Sequence, residues 1–263
     1  MRLSDTDFSA ALSKADYKRR VPPLQTYLHA LQRASWNAEL ATILVIEGWD
    51  ASGKGAVIGK LTERLEPRRF RIHTIREGRS FTSQLPWMWR FWMQLPRYGE
   101  IAIFDQSWYG ALFTARLEEG LRKKTWRHRC RDIVRFERTL NADRYRLVKC
   151  FLHISQEEKK ARLEALAADW TTAWKVTDIT RDRLDRYGEY ANVIGKTIRH
   201  TGRRRSPWHV IPANDLRWAR WSVLTLLAKA MEESLLANGH PLPEALPDRK
   251  SSAPQDSDTR TSS

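Results

Sequence analysis

The stretch EGWDASGKGA at residues 47–56 combines small, polar and basic residues in an order suited to holding phosphate. Gly48, Gly53 and Lys54 fit the spacing G-x-x-x-x-G-K. Glycines let the backbone N–H groups turn inward around phosphate oxygens. The helix expected to follow adds the positive end of its dipole, and the Lys reaches the outer phosphates. Gly48, Ser52, Gly53 and Gly55 are therefore the candidate phosphate-binding residues. The hydroxyl that normally follows the Lys and holds Mg²⁺ is missing, because Gly55 stands there; Asp50, inside the loop, is the candidate substitute. IAIFD at 101–105 ends in a second acid, Asp105. Alone, an Asp ending a strand reads as a helix cap. Beside a phosphate loop it reads as the second carboxylate of a metal and phosphate site. Cys130 and Cys150 are the only cysteines, which excludes a disulfide scaffold and a four-cysteine zinc site. His153, at the end of a strand, reads as structural.

These residues need elements to position them. ATILVIE (41–47) is a continuous apolar run, as expected of a strand buried on both faces. Further strands are expected at 69–75, 101–105, 147–154 and 207–213. Helices are expected at 6–37 with an interruption near Pro22–Pro23, at 54–65, at 86–96 between prolines, at 108–120 and at 125–140. Another starts at Gln156 under a Ser155 cap, and an amphipathic one covers 216–236, a surface for packing against another subunit. Residues 169–200 are polar and helical in places. From Pro241 the chain is rich in Pro, Ser, Asp and Thr, so 241–263 is expected to be a disordered tail. Strands alternating with helices imply a mainly parallel sheet covered on both faces.

Over 263 residues, 46 Lys and Arg face 31 Asp and Glu, a formal charge of +15. That balance calls for a polyanionic partner: nucleic acid, an anionic membrane or a phosphate-rich substrate. No apolar run approaches a membrane span and the first residues lack the apolar core of a signal peptide, so a cytoplasmic protein is expected. No helix-turn-helix, RNA-recognition or zinc signature is visible, so nucleic acid is not the expected partner. Two basic clusters stand out, the segment 122–138 and Arg199–His200 with Arg203, Arg204 and Arg205; each reads equally as a polyanion groove or a solvated face. Trp87, Trp89 and Trp92 read as packing residues rather than base-stacking ones.

Taken together, the segments at 47–70 and 89–110, with FERTL (136–140), KCFLHISQEEKKARL (149–163), WKVTD (174–178) and PWHVIPANDLRWAR (207–220), resemble the polyphosphate kinase 2 family in content and order. The resemblance spans roughly residues 17–235. It implies a three-layer α/β, P-loop kinase-like domain over 41–236, preceded by a helical segment at 1–40 and carrying a helical lid at about 165–200. It implies Mg²⁺-dependent phosphoryl transfer between inorganic polyphosphate and a nucleoside mono- or diphosphate, in a homo-oligomer. It assigns Lys54 to the transferring phosphates, Asp50 and Asp105 to Mg²⁺, Arg162 to catalysis, and Arg116 and Lys175 to the phosphate channel and lid; Tyr109 matches the aromatic after the second acid. The family's Arg after that acid is Gln106 here, a further basic position is Ala111, and a second lid arginine is Leu166. Residues 77–80 replace a proline-containing turn and 82–84 an acidic stretch. These departures leave one alternative open, a homologue that binds polyphosphate or nucleotide without turnover.

Overall fold

The structure is a computed structural model and describes residues 3–74 and 85–244. Five parallel strands form one sheet: β1 (Ala41–Gly48), β2 (Phe70–Thr74), β3 (Ile101–Asp105), β4 (Tyr145–His153) and β5 (Trp208–Pro212), in the order β2-β3-β1-β4-β5. β1 is central and its first seven residues are buried, as its unbroken apolar run requires. β2 lies at an edge and leaves Ile72 half exposed.

The helices are α1 (Lys14–Asn37), α2 (Lys54–Thr62), α3 (Trp89–Trp92), α4 (Trp108–Leu117), α5 (Lys123–Asn141), α6 (Gln156–Ala168), α7 (Asp178–Asp185), α8 (Tyr187–Thr201) and α9 (Leu216–Ala237). α1, α2 and α9 pack together, and so do α4, α5 and α8, giving a helical layer on each side of the sheet. Every crossover then joins parallel strands through a helix, as parallel pairing demands.

Three expectations need correction. α1 begins only at Lys14, where the Ser13 hydroxyl accepts from the Asp16 N–H; upstream, only Leu3–Asp5 forms a short 3-10 turn. α1 also runs through Pro22 and Pro23 without a break. The carbonyls those prolines leave without donors belong to Lys18 and Arg19, both exposed residues where a lost intrahelical bond costs least, while Leu28 and Leu31 further along are fully buried. The segment 86–96 is α-helical for one turn only, because its flanks close as tighter turns: the Trp89 N–H donates to the Pro86 carbonyl at 2.8 Å and the Gln94 N–H to the Phe91 carbonyl at 3.2 Å. The packing role holds in part: Phe91 is buried against Trp87 and Trp108, whereas Trp92 touches Phe136 along one edge and, like Trp89, remains exposed. The replacement segments at 77–80 and 82–84, and 245–263 of the expected tail, lie outside the described residues.

α9 matches its expected span, but its apolar side is spent inside the chain: Val223, Leu227 and Met231 are fully buried, and it packs on α1, α2, β4 and β5. Tyr109 lies in the core, donating to Glu137 at 2.7 Å beside the buried Lys149–Glu137 pair, also at 2.7 Å.

His153 is structural, as read. Its Nδ1 accepts from Trp49 Nε1 at 2.8 Å, which fixes a neutral imidazole, and burial lowers its pKa from 6.5 to about 4. A folded pKa below the unfolded one means that the unfolded chain takes up a proton the native state refuses. The stability is therefore full above pH 6.5 and lost as pH falls from 6.5 towards 4, on the order of 3 kcal/mol over that window. Urea unfolding at stepped pH should show this slope in the wild type and a flatter one in His153→Gln; equal slopes would remove the assignment.

Candidate active site

The site is built where β1 and β3 end side by side, with Ile46 paired to Asp105. The chain leaves β1 at Gly48, which passes so close to β4 that a Cβ there would lie 2.7 Å from the Leu152 carbonyl oxygen and 2.8 Å from Ser52 Oγ. Ala51 adopts φ +61° and Gly53 φ +91°, where Gly53 caps α2. A Cβ on Gly53 would also meet Leu216 Cδ1 at 2.7 Å. The two glycines are thus required by close approach and by left-handed backbone. Ser52 is fully buried and its Oγ has no hydrogen-bond partner, an orphaned donor inside the phosphate loop. Gly55 is different, because nothing lies within 4 Å of its would-be Cβ. Gly55→Ser should therefore fold normally and gain about 0.5 kcal/mol from helix propensity, read as a higher denaturation midpoint; a loss would show a steric constraint that the loop does not display.

Lys54 curls over the loop, its Nζ donating to the carbonyls of Gly48 (3.1 Å) and Trp49 (3.0 Å). Two carboxyl groups feel its charge. Burial raises the pKa of Asp105, with Lys54 pulling against it. Burial likewise raises that of Glu47, opposed by hydrogen bonds from Ser107 and Gly110 and by Lys54. All the donors to Glu47 converge on Oε1: the Ser107 N–H and hydroxyl at 2.8 Å each and the Gly110 N–H at 2.9 Å. Glu47 thereby fastens the β3–α4 turn, including Gln106 at φ +64°, to the root of the phosphate loop.

Asp50 points to cations. Its Oδ1 is 3.2 Å from Arg183 Nη1 and its Oδ2 3.8 Å from Lys159 Nζ. Lys159 is fully buried, which lowers its pKa to about 8 against the pull of Asp50. Arg183 also pairs with Glu118 at 2.8 Å, so one α7 side chain joins the loop to the end of α4. Arg162 spends its guanidinium on the carbonyls of Ala51 (3.1 Å), Ala213 (2.8 Å) and Asn214 (2.8 Å), with Glu158 at 2.6 Å. It braces the loop from behind.

A cavity of about 640 Å³ opens beside the loop, walled by Gly48, Trp49 and Asp50, by Gln106, Ala111 and Thr114 near α4, and by Arg183 and Tyr190 from α7 and α8. The fold therefore brings Gly48, Asp50, Ser52, Gly53, Lys54, Gly55 and Asp105 to one sheet edge. Arg116 and Lys175 stand apart from the cavity wall. Arg116 donates to the Leu121 carbonyl at 3.0 Å, and Lys175 lies exposed beside Trp174. Sequence reasoning missed Glu47, Lys159 and Arg183. Glu47 carried a signal, an acid closing an apolar strand, and Lys159 another, three residues before Arg162 on one helix face. Arg183 carried none.

Among the described residues no group of three His, Cys, Asp or Glu is arranged around a metal position. That suits Mg²⁺ better than a metal caged by protein, because Mg²⁺ usually takes one or two carboxylates and leaves the rest to water and phosphate oxygens. Asp50 and Asp105 are the two carboxylates the loop and the end of β3 offer to such an ion, Asp50 being held by Arg183 and Lys159 and Asp105 having no such ion pair among the described residues.

Comparison with known proteins bears on this geometry. The model of the family described as polyphosphate kinase 2 (PPK2) matches residues 11–238. A polyphosphate:AMP phosphotransferase of Pseudomonas syringae pv. tomato is 31% identical over 232 residues, covering 88% of this chain and 47% of that protein. An ADP-polyphosphate phosphotransferase 2 of Rhizobium meliloti is 32% identical over 220 residues, covering 83% of this chain and 72% of the relative. This chain spans about half the length of the polyphosphate:AMP phosphotransferases it matches. The crystal structure of polyphosphate kinase 2 from Arthrobacter aurescens TC1 superposes with a TM-score of 0.85 at 24% identity, over 93% of this chain and 88% of the other, and so shares the fold.

Proposed function

The chain belongs to the polyphosphate kinase 2 family, and from that membership we propose that it transfers a phosphoryl group between inorganic polyphosphate and a nucleoside mono- or diphosphate, with Mg²⁺. One arrangement carries the reading: the glycine-lysine loop leaves the central strand β1 and opens α2, and Asp105 closes the neighbouring strand β3 in register with Ile46 of β1. Relatives named for transfer to AMP and for ADP support a nucleotide acceptor.

In this proposal the loop from Gly48 to Gly55 cradles the reacting phosphates and Lys54 neutralises charge on the group in flight. Mg²⁺, when bound, supplies further neutralisation, and Asp50 and Asp105 would hold it. Arg183 and Lys159 set the direction of the Asp50 carboxylate. The phosphate oxygen of the acceptor is already anionic, so no strong general base is needed, and positioning does the rest. Tyr190, Ile194 and Ile198 pack α8 into the core, so within the lid expected at about 165–200 the part placed to open is α7, which buries no residue. Arg183 ties α7 to Asp50 and Glu118, and Tyr187, at the start of α8, donates to the Ile154 carbonyl at 2.8 Å, excluding water that would hydrolyse the donor.

Among the described residues, no helix is long and apolar enough to cross a membrane, and the two free, buried thiols fit a cytoplasmic setting. Homo-oligomerisation belongs to the proposal as well, on the exposed apolar side chains of Ile72, Trp92 and Met93, and sedimentation tests it.

The deciding experiment incubates the protein with polyphosphate, Mg²⁺ and a panel of nucleoside mono- and diphosphates and separates the products by chromatography. A second reading, a polyphosphate- or nucleotide-binding homologue without turnover, is favoured by one feature: Gln106 and Ala111 present neutral side chains to the cavity where the resemblance implies cations. Tight polyphosphate binding with no product from any nucleotide would establish it.

A further inference from the structure

Away from the phosphate loop, α5 and the turn between α8 and β5 form a second basic surface. Arg127, Arg131 and Arg138 recur along α5 at spacings of four and seven residues, so they share one face roughly 16 Å long. The turn after α8, closed by the Ser206 N–H donating to the Arg203 carbonyl at 3.0 Å, presents Arg203, Arg204 and Arg205. All six are exposed, and among the described residues none has a carboxylate partner, whereas Arg135 on the same helix pairs with Asp132 at 3.8 Å. Two clefts of about 340 and 620 Å³ are walled by these arginines, and Val134 and Arg203 border both, so the clefts join into one groove.

Six unpaired cations along one groove repel one another. A solvated helix face intersperses acids, but α5 has only Asp132 and the buried Glu137, which is held by Lys149. A linear polyanion relieves that repulsion by releasing its own counterions. No Phe, Tyr or Trp lines the groove, so it lacks the stacking platform that single-stranded nucleic acid uses. α8 connects it to the site: Tyr190 and Ile194 wall the cavity beside the loop, and His200 walls the groove about 9 Å further along the helix.

We infer that this arginine groove holds the distal stretch of an inorganic polyphosphate chain whose reacting end lies in the phosphate loop. The inference rests on the polyphosphate reading above. In this inference a triphosphate occupies the loop alone, whereas a chain of tens of phosphates occupies both. The groove therefore acts on long donors and is silent for short ones.

The test compares wild type with Arg131→Glu/Arg204→Glu/Arg205→Glu, the matching triple Arg→Lys variant, and Lys14→Glu/Lys18→Glu/Arg33→Glu, which makes the same charge change on exposed residues of α1. Binding of labelled long-chain polyphosphate is measured by anisotropy across salt concentrations, and KM is measured for long-chain polyphosphate and for tripolyphosphate. The groove reversal should weaken long-chain binding at least tenfold and flatten the log–log salt slope by about 2. It should raise the long-chain KM while kcat, the nucleotide KM and the tripolyphosphate KM stay within twofold. The Lys triple and the α1 triple should resemble wild type, and unchanged thermal midpoints establish that each variant is folded. Unchanged long-chain binding, equal losses for long and short donors, or an equal loss in the α1 triple would overturn the inference. So would single-stranded DNA displacing polyphosphate from wild type, but not from the groove reversal, at equal phosphate and salt. If wild type turns over no nucleotide, the catalytic reading fails, and the binding arm still decides the groove.

Discussion

Lys54→Ala and Asp105→Asn are each expected to lower phosphoryl transfer by about 10²-fold or more while leaving polyphosphate affinity nearly intact. The separation follows from where the charges lie. Lys54 is a single cation at the loop, and its influence reaches Asp105 and Glu47, the acids at the ends of β3 and β1. In the proposed division, polyphosphate binding is a sum over many arginines and lysines, six of them the arginines of the α5–α8 groove, so one change at the loop removes little of it. Asp105→Asn keeps the side-chain shape and deletes the negative charge, so its turnover should require more Mg²⁺ than the wild type. Because both residues act on one transition state, the double variant should cost less than the product of the singles. Parallel losses of binding and turnover in either single variant would contradict this division between loop and groove.

Glu47→Ala is expected to destabilise the fold by on the order of 3 kcal/mol or more, with Glu47→Gln costing under about 1 kcal/mol. Removing the carboxylate leaves the Ser107 N–H, the Ser107 hydroxyl and the Gly110 N–H without their acceptor in a buried position. The glutamine amide retains an oxygen at Oε1 that accepts from the same three donors. Burial already raises the pKa of Glu47, so a neutral side chain there has a smaller desolvation penalty than the carboxylate. Urea unfolding resolves the two variants. Equal destabilisation by Ala and Gln would mean that the charge, not the acceptor geometry, holds the β3–α4 turn. Because that turn carries Gln106 and the start of α4, Glu47→Ala should also depress turnover in the fraction that remains folded, which Glu47→Gln should not.

The central strand, the phosphate loop and the acid closing β3 were legible because each is local chemistry. An apolar run such as 41–47 has to be buried on both faces, a Gly-Lys at the right spacing has to open a helix, and Ser155 has to cap the helix that follows it. Boundaries were less legible where exposure, not propensity, decides. Pro22 and Pro23 remain inside α1 where the carbonyls they strand belong to exposed residues, Lys18 and Arg19. The lone helical turn at α3 is flanked by tighter three-residue turns, which aromatic spacing does not reveal.

The sequence by itself determined the order of strands and helices, the glycine-lysine loop between β1 and α2, the place of Asp105 at the end of β3, and the surplus of positive charge. These are properties of short windows, where residue type and spacing act directly on backbone conformation and charge. Only the tertiary structure decided which cations face Asp50 and which do not. Arg183 reaches it from 133 residues away and Lys159 from 109, while Arg162 turns to backbone carbonyls and Lys175 stays in solvent. Likewise the arginines of α5 and those of the turn before β5, more than sixty residues apart in the chain, face one groove only because α5 and α8 pack on the same side of the sheet. Side-chain partnership across such separations is set by the crossovers of a parallel sheet, and no local window contains them.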